Sequence, residues 1–194
     1  MLSVADMKRN FMANPVIAAV RDVSGLYSAL KSPVEFVFLL DASLMNIRQR
    51  VQQIKGVGKK AFVHLDMVAG LGKDAGALEF LWEDCRPDGV ILTKPNMIQT
   101  ARHLGFITVQ RLFVLDSLSV QTGLKIANES RPDFIEVMPG AVVAKIIAQI
   151  RQKSSVPVIA GGLVENRDEV AELLKAGALA VSTSKTDLWK EVFG

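Results

Sequence analysis

Eight short runs of β-forming apolar residues recur along this chain, and their spacing limits the folds open to it more than any other feature. The runs start at Pro15 (P-V-I-A-A-V), Phe36 (F-V-F-L-L), Ala61 (A-F-V-H-L-D), Gly89 (G-V-I-L-T), Phe106 (F-I-T-V-Q-R-L-F), Phe134 (F-I-E-V-M-P), Pro157 (P-V-I-A-G-G-L) and Ala178 (A-L-A-V-S-T-S). Their starts lie 21, 25, 28, 17, 28, 23 and 21 residues apart, enough each time for one strand, one helix and two short loops. Between them apolar residues fall at helical spacing, as in Leu44, Ile47, Val51 and Ile54, or Val170, Leu173 and Leu174. Gly56, Gly105 and Gly177 stand where helices would end. No hairpin signal joins consecutive runs. The pattern predicts a compact α/β fold, a closed parallel (β/α)8 barrel of the TIM type, as one domain over 1–194 with its core at about 14–190. An open doubly wound sheet with fewer strands is the alternative.

Composition agrees with buried parallel strands: 49% of residues are apolar but only 6% aromatic. A chain of 194 residues is long enough for one substantial core. The lone Cys85 cannot form an internal disulfide, which suits a reducing compartment. No secretory apolar region follows Met1 and no apolar run approaches the ~18 residues of a membrane span, so the expectation is a cytoplasmic protein with no membrane partner. The net charge of +3 permits an anionic partner without requiring one.

In a barrel of this kind the C-terminal strand ends gather the functional loops around one mouth. The polar residues follow that polarity: Arg21 and Asp22 end the first run, Asp41 the second, His64 and Asp66 the third, Thr93 and Lys94 the fourth. Gln110 and Arg111 come late in the fifth, Glu136 in the sixth, and Ser182, Thr183 and Ser184 close the eighth. Alternation places His64 and Asp66 on one face of their strand. Either these groups contact a ligand, or Arg111, Glu136 and Asp66 form buried ion pairs that set register.

The seventh run stops on Gly161 and Gly162, where the lack of a Cβ would let a ligand's oxygens reach main-chain N–H groups just ahead of a helix. Together with the Ser182-Thr183-Ser184 turn, this predicts a phosphate site between the last two loops. A tight turn at the glycines and a helix cap at Ser184 are the plainer readings. The stretch G-L-G-K-D-A-G at 70–76 matches neither the P-loop nor the dinucleotide fingerprint. It reads as a loop over the mouth, with Lys73 able to reach an anion. His64-x-Asp66 is too sparse a set for a metal hydrolase, and no metal or cofactor is expected. Lys94 could form a Schiff base or serve electrostatically.

Taken together, N-P-V-I-A-A-V-R-D, F-V-H-L-D-M-V-A-G-L-G-K-D, P-D-G-V-I-L-T-K, Q-R-L-F-V-L-D-S, P-D-F-I-E-V-M-P-G, P-V-I-A-G-G-L and A-V-S-T-S-K resemble the glycerol-3-phosphate-responsive antiterminator family, from about Asn14 to Trp189. The resemblance implies a barrel that senses sn-glycerol 3-phosphate as effector and acts on a leader mRNA of glycerol-uptake genes so that transcription passes a terminator. The fold so implied is similar to that of glycerophosphodiester phosphodiesterases, whose metal-binding pattern this chain lacks. Phosphate would lie on Gly161, Gly162, Ser182, Thr183 and Ser184. Arg21, His64, Asp66, Lys94, Gln110, Arg111 and Glu136 would meet the glycerol or balance charge.

No RNA-binding signature is present. The densest basic stretch is 46–60, with Arg48, Arg50, Lys55, Lys59 and Lys60, and it is the candidate RNA surface if it is not simply solvated. A homo-oligomer is compatible with all of this. A phosphate-handling barrel enzyme, a lyase, isomerase or phosphodiesterase acting on a three-carbon phosphate, is the rival reading.

Overall fold

Each of the eight runs forms a strand, and in the computed structural model, which describes residues 3–191, the strands close on themselves. In chain order the strands are β1 (Val16–Val20), β2 (Phe36–Leu39), β3 (Ala42–Ser43), β4 (Lys60–His64), β5 (Val68–Ala69), β6 (Gly89–Leu92), β7 (Ile107–Phe113), β8 (Phe134–Met138), β9 (Val158–Gly161) and β10 (Ala180–Thr183). The helices are α1 (Val4–Ala13), α2 (Val23–Lys31), α3 (Ile47–Gly56), α4 (Ala75–Phe80), α5 (Pro95–Leu104), α6 (Ser117–Ser130), α7 (Gly140–Lys153) and α8 (Arg167–Lys175). A π-helical turn, Leu81–Cys85, continues α4, and a 3-10 turn, Leu188–Lys190, follows the last strand. Strands pair in parallel in the order β1-β2-β4-β6-β7-β8-β9-β10, and β10 returns to β1. The fold is therefore the closed (β/α)8 barrel, not the open sheet. Just above the barrel, β3 and β5 add a two-stranded parallel pair that the run spacing did not indicate.

Alternation along the strands builds two apolar layers. Ile17, Phe36, Phe38, Phe62, Ile91, Phe134 and Ile159 fill the barrel, while Val16, Val37, Val63, Val90 and Ile135 face the helices. Helix α1 lies outside the core expected from sequence, yet it belongs to it. Its Met7 and Phe11, one turn apart, are buried with the interior residues, and Phe11 packs 4.5 Å from Phe36 and 6.0 Å from Phe134, ring centroid to centroid. Ser3 and Asp6 form a capping box that starts the helix and fixes its direction. The chain thus closes its own barrel with a plug.

Helix ends on the strands' N-terminal side turn through left-handed residues. Gly58, Gly105 and Gly177 supply three of these, after α3, α5 and α8. Two others are arginines, Arg86 (φ 51°) after the π turn and Arg131 (φ 53°) after α6, each at a cost of about 1–2 kcal/mol relative to glycine. Both begin the tripeptide R-P-D. In each, the aspartate carboxylate accepts from the first residues of a neighbouring strand: Asp88 from the Ala61 amide at 2.9 Å, and Asp133 from the Thr108 amide and hydroxyl, both at 2.8 Å.

Candidate functional site

Above the interior apolar layers the inward positions become polar, with Arg111 on β7, Glu136 on β8 and Ser182 on β10. Glu136 is fully buried and both of its oxygens are engaged. Oε2 accepts from Arg111 Nε at 2.7 Å and Oε1 from Ser182 Oγ at 2.6 Å. The ionised pair survives burial because each member satisfies the other. The terminal amino groups of Arg111 have no partner among the described residues. They belong to a side chain that lines a cavity of about 560 Å³ opening at the mouth.

Seven of the residues singled out from sequence line that cavity: Arg21, Arg111, Glu136, Gly162, Ser182, Thr183 and Ser184. Gly162 is left-handed (φ 78°), and so is the exposed Leu163 after it (φ 58°). The N–H groups of Gly162, Leu163 and Ser184 have no hydrogen-bond partner among the described residues, which leaves them available to an anion. Arg21 is exposed at the rim with no ion-pair partner among those residues. Lys185 closes one side through an ion pair with Glu165 at 3.2 Å.

Several sequence expectations need correction. Gly161 does not make room for a ligand, because a Cβ there would collide with Ser182 Oγ and stand 2.8 Å from Glu136 Oε1. The glycine accommodates the buried carboxylate. Helix α8 starts five residues beyond Gly162, and its first turn is satisfied by Asn166 and carries Asp168 and Glu169. An anion would therefore meet loop amides, not that helix terminus. Ser184 caps no helix, since Asp187 precedes the 3-10 turn. The side chain of Thr183 is spent on the loop: its hydroxyl donates to the Val164 carbonyl at 2.8 Å, and its own carbonyl accepts from Trp189 Nε1 at 2.8 Å.

Gln110 points the other way, into the helix layer, where its Oε1 accepts from Ser130 Oγ at 2.7 Å. It cannot contact a ligand in the mouth. His64 ends β4 and is buried, with Nδ1 lacking a partner among the described residues. Burial, helped by Arg111, lowers its pKa to about 4, so the ring is neutral. The strand does not continue to Asp66, which lies in a 3-10 turn and accepts from the Thr93 hydroxyl at 2.7 Å. The expected shared face with His64 is lost at that turn. Lys94 is exposed at the start of α5, and Lys73 is exposed in its loop; neither lines the cavity.

The basic stretch is largely committed to the fold. Arg48 pairs with Asp84, and Arg50 is nearly buried against the Asp41 carboxylate at 2.7 Å. Lys55 donates to the Arg86 carbonyl at 2.6 Å. Lys59 donates to the Ser32 and Val34 carbonyls at 2.6 and 2.5 Å, and burial lowers its pKa. Lys60 is half-buried at the start of β4. This is not an open stripe of cations.

The residues that sequence reasoning missed at the mouth are mostly apolar, among them Ala19, Leu40, Met67, Phe113, Met138 and Leu163, and include the charged pair Glu165 and Lys185. Only Lys185, directly after S-T-S, carried a signal.

A family model described as "Glycerol-3-phosphate responsive antiterminator" matches residues 16–189. The protein YgcP of Escherichia coli (strain K12) is 38% identical over 176 residues, which make up 91% of this chain and 92% of that one. Among solved structures, the glycerol uptake operon antiterminator regulatory protein of Listeria monocytogenes superposes with a TM-score of 0.87 at 32% identity, covering 91% of this chain and 95% of that one. A glycerol uptake operon antiterminator-related protein of Thermotoga maritima gives 0.82 at 36% identity, covering 93% and 100%.

Proposed function

Because the chain belongs to the glycerol-3-phosphate responsive antiterminator family, we propose that it is a cytoplasmic regulator that binds sn-glycerol 3-phosphate in the barrel mouth and, so loaded, acts on a leader mRNA to carry transcription past a terminator. The observation that carries the ligand half is Arg111. A guanidinium is held by Glu136 at the base of a cavity with its amino groups unspent, opposite loop amides that also lack partners. That is an arrangement for a small dianion, since charge-assisted bonds to a fixed guanidinium are strong and directional. The Ser184 hydroxyl lines the same cavity for the glycerol oxygens, as does the Ser182 hydroxyl, which donates to Glu136 and is left as an acceptor.

The enzyme alternative draws less support. Lys94, its candidate nucleophile, stands outside the cavity, and Lys185 inside it is paired with Glu165. Among the described residues no three His, Cys, Asp or Glu side chains converge as a metal site.

The test is a comparison of glycerol 3-phosphate, glycerol and inorganic phosphate by thermal shift. A ligand at ~100 times its dissociation constant stabilises the folded state by about 2.7 kcal/mol, so glycerol 3-phosphate should raise Tm clearly and glycerol should not. Equal effects of glycerol and its phosphate would remove the phosphate site. The RNA half is tested by binding of the leader transcript with and without glycerol 3-phosphate at two salt concentrations.

A further inference from the structure

We propose that the N-terminal face of the barrel, opposite the ligand mouth, binds single-stranded RNA, with Arg86 and Arg131 taking backbone phosphates and the cavity beside Trp82 taking a base. The inference rests on the RNA half of the reading above and supplies the surface that it lacks.

The duplicated R-P-D turn is what points there. Its backbone work, ending a helix and presenting an aspartate to the next strand's amide, is done by the left-handed residue, the proline and the aspartate. That work does not itself require a guanidinium: the Arg86 side chain adds only an exposed Nε bond to the Glu83 carbonyl at 3.2 Å and a 3.9 Å ion pair with the Glu83 carboxylate, the Arg131 guanidinium has no partner among the described residues, and three other helix ends on the same face use glycine at the left-handed position. Both arginines nevertheless hold the strained conformation with their side chains exposed, Arg86 at 74%. Each turn is also buttressed in the same manner, by a cation from a neighbouring helix end donating to the arginine's own carbonyl. Lys55 Nζ reaches Arg86 at 2.6 Å and an Arg102 amino group reaches Arg131 at 2.7 Å. The result is two pairs of cations on one rim, the first of them offset in part by Asp88 beside Lys55 and Glu83 beside Arg86. Only β7 separates β6 from β8, so at strand level the turns are roughly 10 Å apart.

A cavity of about 490 Å³ adjoins the first pair, lined by Lys55, Trp82, Glu83, Arg86, Asp88 and Gly105 among others. Trp82 is half-buried and fixed edge-on against Phe106 at 5.0 Å, and a side chain at Gly105 would run into its ring. A held indole in a cavity of this size is a stacking platform for an unpaired base. The Glu83 carboxylate, 3.9 Å from an Arg86 amino group, and the Asp88 carboxylate, 4.0 Å from Lys55 Nζ, would repel a phosphate but keep lone pairs that can accept from base N–H groups, which puts the base inside and the backbone outside on the arginines. Duplex RNA offers no such base.

The experiment follows binding of a labelled single-stranded segment of the glycerol-uptake leader by fluorescence anisotropy across a salt series, with glycerol 3-phosphate saturating. Arg86→Gly with Arg131→Gly relieves the left-handed strain while removing both guanidinium groups. The double variant should keep the ligand-induced Tm shift, bind RNA at least tenfold more weakly at low salt, and show a log–log salt slope shallower by about 1.4, at about 0.7 for each lost single-strand phosphate contact. Trp82→Leu should weaken binding with the slope unchanged. If glycine loosens the turns, seen as a lost ligand-induced shift, Arg86→Gln with Arg131→Gln is read by the same criteria. Wild-type protein that binds the leader while the double variant matches it in affinity and slope overturns this face alone. Wild-type protein that binds no RNA overturns the RNA reading and this inference with it.

Discussion

Arg111 and Glu136 occupy directly paired positions on β7 and β8, and their side chains meet at 2.7 Å inside the barrel. Removing one partner strands a buried charge, so Arg111→Met should cost about 3–5 kcal/mol in urea unfolding. Replacing both, as Arg111→Met with Glu136→Leu, should recover most of that, because the desolvation penalty disappears with the pair. Glycerol 3-phosphate affinity should be lost in both variants. Retention of affinity in the more stable double variant would show that the pair serves register only.

Gly161 and Ser182 are also paired across neighbouring strands, and the missing Cβ is what lets the Ser182 hydroxyl reach Glu136. Gly161→Ala should therefore destabilise by about 1–3 kcal/mol through overpacking. Part of that loss should vanish in a Ser182→Ala background, since residues in contact couple in a double-mutant cycle. Additive costs would indicate that the strain arises elsewhere.

These two residues also show what a sequence can carry. Strand number, parallel order and the polar C-terminal rim follow from spacing and alternation, which repeat eight times and average out local noise. The glycine pair marked a crowded backbone correctly, but the crowding at Gly161 comes from Ser182 on the neighbouring strand and from Glu136, 25 residues earlier in the chain, and no local pattern reports that. Gln110 and Arg111 are adjacent in sequence and face opposite layers, so which one enters the mouth depended on strand phase. Asp66 left the face of His64 because the strand ended at His64, two residues before the end of the run A-F-V-H-L-D. The cations of 46–60 were visible, but their partners, Asp41, Asp84 and the carbonyls of Ser32, Val34 and Arg86, come from other elements.

His64 should impose a pH dependence on stability. Its folded pKa of about 4 lies below the ordinary 6.5, chiefly through burial, with Arg111 and Lys73 opposing the charged ring and Asp66 favouring it. The unfolded chain therefore binds a proton that the folded one refuses between those values. Stability is full above pH 6.5 and falls as the pH drops toward 4, by on the order of 3 kcal/mol for this residue. His64→Gln should flatten that part of the profile, read as the difference between the two proteins' urea midpoints at pH 7 and pH 4.5. Parallel profiles would mean that the ring is solvated in solution.

The plug at the other end gives the last prediction. Phe11 is 1% exposed and touches Phe36 and Phe134, so it belongs to the interior layer on which the strands close. Phe11→Ala removes a buried ring where backbone on all sides limits collapse, and such truncations cost about 3–5 kcal/mol. The cavity mouth lies at the opposite end of the strands, lined by residues of β1, β7, β8 and β10 and of the loops after β2, β4, β9 and β10, and touches no residue of α1. The folded variant should therefore bind glycerol 3-phosphate with wild-type affinity at a temperature well below its lowered Tm, and the ligand should raise that Tm by the same free-energy increment as in the wild type. A cost below about 1 kcal/mol would place α1 outside the cooperative unit, because fraying at an end is cheap where a helix contributes little to the core. A weakened ligand would instead mean that the plug and the mouth are coupled through the interior layer of Phe36, Phe38 and Phe62, which spans the distance between them.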